Sequence, residues 1–380
     1  MNGTSPDAHG DTRYGWVESP NCGRGTLDII WACFLTVILC CWSALRMNTP
    51  ADRDSDIRIF SRRLKWMLVG IFAPEIISLT AIIDWFRARK LQHQFRKIEQ
   101  LRTWTRVHAF LLVMGGISLK TPDGEVFRPL PDQFLKLVEN HRIEMQEITK
   151  RDIEDKGKAN VLVKIISLVQ VLWFVSNTIG RAVLHLPITT LELSTCAIVL
   201  CTIPTIGFWW IKPCDLERPF VLKTTTNLQA LRQELRNEGI NVEESSRRRI
   251  PFISDQSRWG FGNVLVEQLV LVLLVAAFGP VHLLGWNFHF PTPLEQLLWR
   301  ISSILCTCLP IVFQLLNFIW DNISDNFWER TLGVLVYATL FAYAVVRLYL
   351  LGEVFAGLRA VSAGIYMSLE WSNLIPHWGL

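Results

Sequence analysis

Apolar residues gather into seven stretches along the chain, and the charged residues between them collect in a few long loops. A helix needs ~20 mostly apolar residues to cross the hydrocarbon core of a bilayer, and each stretch reaches or approaches that length. Backbone groups in lipid must hydrogen bond within their own segment, which favours helices. The pattern predicts an all-α, polytopic transmembrane bundle with about seven spans, at 27–45, 66–86, 161–184, 191–211, 263–285, 298–319 and 331–352.

The segments between these spans are polar, and they are predicted to be loops with short helices and not separate domains. The predicted organisation is a polar N-terminal segment at 1–26, two spans within 27–86, a basic loop at 87–160, two spans within 161–211, a second basic loop at 212–262, three spans within 263–352 and a C-terminal tail at 353–380.

Composition supports a membrane protein. Half of the residues are apolar and only 19% are charged, and many of the 16 tryptophans stand at span ends, as in an interfacial aromatic belt. The formal charge of +4 arises mainly in the loops. Because no basic run is interleaved with aromatics in a recognisable binding module, the predicted partner is the lipid bilayer and not nucleic acid. Seven of the nine cysteines lie inside predicted spans, so no disulfide framework is expected.

The distribution of basic residues constrains the topology. The loop at 46–65 carries six Lys and Arg residues and the loop at 87–160 carries fifteen, so both are predicted to be cytoplasmic. A straight second span would place them on opposite sides. One resolution is that Pro74 and Glu75 break that span into a re-entrant or kinked segment. The other is that the apolar run 108–118 dips into the membrane.

With a re-entrant second segment, the loops 87–160 and 212–262 are cytoplasmic and the chain ends lie on the other side. Asn2, in the sequon Asn2-Gly3-Thr4, is then a candidate glycosylation site. The expected location is an endomembrane such as the endoplasmic reticulum.

Ionisable residues inside spans are the main candidates for function, because a charge at the bilayer centre costs ~2.5–3.5 kcal/mol on insertion scales. Glu75 lies in the middle of the second span and is a candidate proton donor; the alternative is that it bonds a neighbouring helix or pairs with an arginine. Asp28 and Glu192 begin the first and fourth spans and are further candidate acids. Their alternative role is that of first-turn carboxylates favoured by the helix dipole. Arg347 is a candidate partner for a carboxylate or an anionic head group.

One short motif points to different chemistry. Asn317, Asp321 and Asp325 are spaced at i, i+4 and i+8, so a helix would place all three on one face, where they could hold Mg²⁺ and a diphosphate. The nine residues resemble the NxxxDxxxD motif of UbiA-type prenyltransferases, but the second aspartate-rich motif of those enzymes is absent. The alternative is an acidic, solvated loop. No other metal motif, nucleophile elbow or nucleotide-binding loop occurs, and no cofactor is expected.

Longer segments carry a family resemblance. The stretches CGRGTLDIIWACFLTVILCCW (22–42), LKWMLVGIFAPE (64–75) and RLYLLGEVFAGLR (347–359) resemble a widespread fungal family of multi-pass integral membrane proteins. The chain is also similar to the integral membrane terpene cyclase of the macrophorin type, which implies a role in secondary metabolism and protonation of an olefin. None of that cyclase's catalytic residues is matched to a position here.

The leading expectation is therefore a membrane-embedded cyclase acting on a prenylated, lipid-soluble small molecule. The alternatives are a non-enzymatic scaffold, receptor or carrier and, second, a Mg²⁺-dependent prenyltransferase. A cavity lined by a carboxylate and aromatic rings would favour the cyclase, because such a cavity keeps water away from a carbocation. A collapsed bundle with arginine-paired carboxylates would favour the non-enzymatic alternative.

Overall fold

The computed structural model describes residues 13–19, 24–51, 54–157, 161–240, 278–322 and 326–369. The helices are α1 (Thr26–Ala44), α2 (Asp56–Phe72), α3 (Pro74–Phe95), α4 (Arg106–Val113), α5 (Pro131–Glu139), α6 (Lys150–Lys156), α7 (Val161–Val183), α8 (Thr190–Phe208), α9 (Leu228–Asn237), α10 (Pro293–Asn322) and α11 (Asn326–Ala356), with a further helical segment at 278–283. The strands are β1 (Arg13–Tyr14), β2 (Ile117–Lys120), β3 (Val126–Phe127), β4 (Ile143–Glu144), β5 (Phe220–Thr224) and β6 (Val361–Ser362).

Within the described residues, five helices are long and apolar enough to cross a membrane, namely α1, α7, α8, α10 and α11. They coincide with five of the predicted spans. The predicted span at 263–285 lies mostly outside the described residues. The prediction of one continuous span at 66–86 is wrong, because the chain bends by 112° between α2 and α3. A sixth span results only if this bent pair is counted as one, so seven spans are not confirmed.

The bend between α2 and α3 has a local cause. Ala73 is non-helical, with φ −142° and ψ 71°, and its N–H donates to the Val69 carbonyl at 2.7 Å. Pro74 follows as the first residue of α3, where its missing N–H costs nothing but prevents α2 from continuing.

The two outer ends of the bent pair lie on the same side of the bundle. In the outer half of α2, Arg62 donates at 3.2 Å to the carbonyl of Asn48, which lies just after the end of α1. In the outer half of α3, Asp84 accepts from the Trp209 indole N–H at 3.1 Å, just after the end of α8. The pair is thus a re-entrant hairpin with its tip inside the bundle, as in the first of the two predicted topologies.

A four-stranded sheet joins the two basic loops, in the order β3-β2-β5-β4. Strand β2 from the first loop runs parallel to β5 from the second, with Leu119 opposite Leu222. This corrects the all-α fold class and the prediction that these segments are loops with short helices. It also corrects the idea that 108–118 dips into the membrane, because the run forms α4 and the start of β2, and its side chains pack inside this unit. The side of the bundle that carries the sheet is called the sheet face.

The opposite side is formed by 13–19, 184–189, 284–292 and 357–369, and is called the terminal face. Here β1 pairs antiparallel with β6, with Arg13 opposite Ser362. The basic residues in these segments are Arg13 and Arg359, with Arg24 beside them at the start of α1. Both described chain ends therefore lie away from the basic loops, as the re-entrant topology predicts.

Candidate functional site

The tip of the hairpin places two helix ends in the bundle interior, and one charged residue complements each of them. At the end of α2, Arg347 of α11 donates from Nε to the Phe72 carbonyl at 2.6 Å, and its Nη2 bonds the same oxygen. At the start of α3, the Glu75 carboxylate is buried and accepts from the Tyr343 hydroxyl at 2.5 Å. A cation at a helix C-terminus and an anion at an N-terminus are both favoured by the helix dipole. Glu75, Tyr343, Arg347 and the Phe72 carbonyl are called the break centre.

One oxygen of the break centre is left free. Glu75 Oε2 is buried and has no hydrogen-bond partner among the described residues. Arg347 attracts the carboxylate electrostatically but directs its N–H groups to Phe72. A buried, unsatisfied polar atom costs ~1–3 kcal/mol, and more when it is charged. Such groups inside a membrane are typical of sites that take up a proton or a ligand.

A second layer of residues surrounds Arg347. Its guanidinium lies 4.0 Å from the centre of the Phe278 ring. His282 is buried one helical turn further along, with Nδ1 3.2 Å from the Phe278 carbonyl and Nε2 3.4 Å from Ser194 Oγ. The Trp299 indole donates to the His282 carbonyl at 3.2 Å. The break centre is thus connected to α8, α10 and the 278–283 segment.

The other side of the hairpin tip packs against α8. Ser78 donates to the Cys201 carbonyl and lies beside Thr205 Oγ1, both at 2.8 Å. A cavity of about 20 Å³, lined in part by Pro74 and Thr205, adjoins the tip and has room for one water-sized group. Glu75 is not among its lining residues.

Asp28 lies at the terminal face and is exposed. Its Oδ2 accepts from Ser19 Oγ at 2.6 Å and from the Gly25 N–H at 2.7 Å, which closes the N-terminus of α1. The structure therefore gives Asp28 the capping arrangement that was its alternative role, and does not bring it near Glu75.

Glu192 also lies at the terminal face, but it is buried. Its Oε1 pairs with Arg24 at 2.5 Å, and its Oε2 accepts from the N–H and the hydroxyl of Thr189, both at 2.9 Å. Both oxygens of Glu192 are therefore engaged in holding α8 to the segment before α1. Of the three candidate acids, Glu75 is the one whose unbonded oxygen is buried.

The proposed diphosphate motif is described only in part. Asn317 donates to the Phe313 carbonyl of its own helix at 2.7 Å. The Asp321 side chain and Asp325 lie outside the described residues, as does Asn2. Within the described part of the chain, no group of three or more His, Cys, Asp or Glu residues is placed to hold a metal ion.

Sequence reasoning missed a buried cluster at the sheet face. Lys212 donates to Asp84 Oδ2 at 2.7 Å and to Asn48 Oδ1 at 3.2 Å, and lies 4.5 Å from the Trp209 ring centre. Burial lowers the pKa of the Lys212 amine, and the Asp84 carboxylate opposes that shift. The cluster fixes the outer half of α3 to the end of α8. Its signal in the sequence was Asp84, the second acidic residue of the predicted span at 66–86, whose cation lies 128 residues away.

Comparison with protein families gives one finding. The profile of a family of unknown function, DUF8562, matches residues 2–233 and 247–378. The chain belongs to this family. A comparison with curated proteins gave no match, and neither did a comparison with solved structures. The family description states no activity and gives no support to the likeness to a terpene cyclase.

Proposed function

We propose that this protein is a membrane carrier in which the break centre takes up and releases a proton. The observation that supports the proposal is the broken helix pair in the bundle interior, where Arg347 bonds the end of α2 and the start of α3 carries a buried carboxylate with one unbonded oxygen. Discontinuous helices whose ends meet charged groups near the bilayer midplane are typical of transporters. Carboxylates held there commonly serve as proton relays.

The contacts of Glu75 explain how its protonation could change the positions of the hairpin and α11. In its charged form, Glu75 attracts Arg347 and complements the N-terminus of α3. A proton on the unbonded Oε2 would weaken both attractions, while the bonds of Arg347 to the Phe72 carbonyl would remain. Because Glu75 belongs to the hairpin and Arg347 belongs to α11, the two protonation states favour different positions of these elements. A carrier needs such a bistable element.

A membrane-embedded cyclase is the second candidate. The observation in its favour is that the break centre, with the free oxygen of Glu75, adjoins an aromatic ring, Phe278, which could stabilise a carbocation. However, Arg347 already covers that ring, and Glu75 does not line the cavity beside the hairpin tip. The geometry therefore supports the carrier better.

The proposal is tested by charge movement after pH jumps. Purified protein in liposomes on a solid-supported membrane should give a transient charge displacement, because protons bind or leave Glu75. The Glu75→Gln variant should give no more signal than protein-free liposomes. Asp28→Asn is the matched control and should keep the wild-type signal, since Asp28 caps a helix at the terminal face.

Two outcomes would contradict the carrier. One is a wild type that shows no charge displacement, and the other is a Glu75→Gln variant that shows an undiminished one.

The cyclase is tested in parallel by supplying microsomes with prenylated phenols and following cyclised products by mass spectrometry. A cyclised product that the wild type forms and the Glu75→Gln variant does not form would favour the cyclase over the carrier.

A further inference from the structure

Arg46, just after the end of α1, is a buried arginine at the sheet face and is only 6% exposed. The other buried arginines of the described chain, Arg128, Arg181 and Arg347, all donate to backbone carbonyls. By contrast, none of the guanidinium nitrogens of Arg46 donates to a described residue, and none is fully enclosed there. A buried charge without a partner is costly, so Arg46 points to a ligand of opposite charge.

Arg46 belongs to a cluster of cations beside the end of α8. Lys212 donates at 3.2 Å to Asn48, two residues after Arg46. Burial lowers the pKa of the Lys212 amine, and the charge of Arg46 lowers it further. Burial raises the pKa of the Cys214 thiol, and the charges of Arg46 and Arg63 oppose that shift. Because such effects fall off with distance, the three cations lie near one another.

The carboxylates of this cluster are already paired. Asp215 pairs with Arg63 at 2.9 Å, and Asp84 pairs with Lys212 at 2.7 Å. Among the described residues, three cations therefore share two carboxylates, and Arg46 is the cation left over. The cluster reaches the protein surface, because the side chains of Arg63 and Asp215 are 18% and 34% exposed. A ligand that completes it must be an anion that accepts hydrogen bonds.

An exposed apolar row beside the cluster indicates what kind of anion fits. The row lies on α2 and repeats at spacings of three and four residues, at Ile57, Phe60, Leu64 and Leu68. The Phe60 ring lies 5.9 Å from the Trp42 ring, and the Arg63 guanidinium lies 4.4 Å from the centre of the same Trp42 ring. The row is therefore continuous with the cations. Acyl chains can lie along it while a head group meets the charges, which favours a phospholipid over a free anion.

We propose that Arg46 binds the phosphate of an anionic phospholipid in the leaflet beside the sheet face, with the acyl chains along the exposed row of α2. A guanidinium presents N–H groups in a planar fork that matches phosphate oxygens. Lys212 and Arg63 add positive potential behind it. The basic loops predict that this leaflet is cytosolic, where anionic lipids are concentrated. The site is separate from the break centre, and its occupancy does not depend on proton uptake at Glu75.

The test is native mass spectrometry of the purified, full-length protein in detergent, which gives the Kd of the first bound lipid. Dioleoyl phosphatidic acid is the probe, and dioleoyl phosphatidylcholine is its counterpart without net charge. Glycerol 3-phosphate supplies the same phosphate without acyl chains. The phosphatidic acid should bind more tightly than the phosphatidylcholine, and glycerol 3-phosphate should not displace it. Equal affinity for the two lipids, or displacement by glycerol 3-phosphate, would overturn the proposal.

Two variants locate the binding site. Arg46→Gln should weaken binding of phosphatidic acid by about 10-fold or more, since hydrogen bonds between charged groups contribute that much to affinity. Lys65→Gln is the matched control, because it removes an exposed cation of α2 and tests general attraction between the protein and anionic lipid. It should keep the wild-type affinity. Full affinity in Arg46→Gln, or an equal loss in both variants, would contradict the assignment to Arg46.

Thermal unfolding separates binding from a structural role of Arg46, such as complementing the C-terminal end of α1. In delipidated protein, Arg46→Gln should melt no lower than the wild type, because the arginine has no protein partner to lose. Phosphatidic acid should then raise the Tm of the wild type and not that of the variant. A delipidated variant that melts well below the wild type would overturn the proposal. Charge displacement at Glu75 is measured separately and does not affect this outcome.

Discussion

Arg347 shows how a membrane span can hold an arginine. Its guanidinium is buried, yet the break after Phe72 supplies a carbonyl that has lost its helical partner, and Glu75 supplies charge. The arginine and the break thus stabilise each other. Removing the arginine would leave the Phe72 carbonyl without a hydrogen-bond donor, and removing the break would leave the guanidinium without an acceptor, in a medium without water.

Substituting Arg347 by alanine should therefore be costly. We expect the free energy of unfolding to fall by about 3–5 kcal/mol, as for other buried charges that lose a partner. Thermal unfolding in detergent would show this as a large drop in Tm. Arg300→Ala is the control, because Arg300 also donates to a carbonyl, that of Trp286, but in an exposed position. Similar Tm values for the two variants would contradict this interpretation.

His108 makes the stability of the sheet unit depend on pH. Burial lowers the pKa of this imidazole below its ordinary value of 6.5, and the bond to the Ile148 carbonyl opposes the shift. Its Nδ1 accepts from the Thr105 N–H, so a proton on Nδ1 would place two donors face to face. The unfolded state therefore binds a proton more readily than the folded state.

The direction of this pH dependence follows from the linkage between proton binding and folding. Stability should be highest above about pH 6.5 and should fall as the pH drops below that value, until the folded-state pKa is passed. Hydrogen–deuterium exchange of residues 106–120, corrected for intrinsic rates, should show protection decreasing from pH 7.5 to pH 5. His108→Gln should flatten this dependence, whereas His141→Asn, at an exposed loop position, should not. A slope retained in His108→Gln would exclude His108 as its source.

At the scale of elements, the α2–α3 hairpin decides the topology. Pro74 alone is compatible with a kinked span or with a re-entrant one. The contacts of Arg62 with Asn48 and of Asp84 with Trp209 place both ends of the hairpin on the sheet face. The hairpin therefore does not cross the bundle.

Cysteine labelling in sealed microsomes tests this arrangement. Lys65→Cys in α2 and Lys97→Cys just after α3, both at exposed positions, should react with a membrane-impermeant maleimide from the same side. Ser19→Cys, at the terminal face, should react only after the vesicles are permeabilised. The wild type measures the background from native cysteines. Labelling of positions 65 and 97 from opposite sides would mean that the pair crosses the membrane.

At the scale of the whole molecule, basic residues separate the two faces. The described parts of the loops at 46–65 and 87–160 place 19 Lys and Arg residues on the sheet face. The described arginines in or against the terminal face are Arg13, Arg24, Arg181, Arg300 and Arg359. This asymmetry predicts that the sheet face is cytosolic.

Glycosylation mapping in microsomes checks the orientation. The native sequon at Asn2 should carry a glycan that is lost in Asn2→Gln. A new sequon in the exposed turn of the sheet unit, made by Asp123→Asn with Glu125→Thr, should remain unmodified. A glycan at position 123 with none at Asn2 would show that the orientation is reversed.

The sequence by itself determined the membrane character, five of the seven predicted spans, and Pro74 as one of two ways to reconcile the two basic loops. These features depend on hydrogen bonds and apolar runs that are local in the chain, so a contiguous pattern is enough to predict them. It also singled out Glu75, because a carboxylate in an apolar run is costly wherever its partner lies. The same local reasoning proposed Asp28 and Glu192 as acids, and it also gave their alternative as first-turn carboxylates.

Only the tertiary structure decided what surrounds these residues. Tyr343 donates a hydrogen bond to Glu75, which lies 268 positions away in the sequence, and β2 pairs with β5 from a different loop. Such contacts depend on packing between distant segments, and periodicity within one segment carries no information about them.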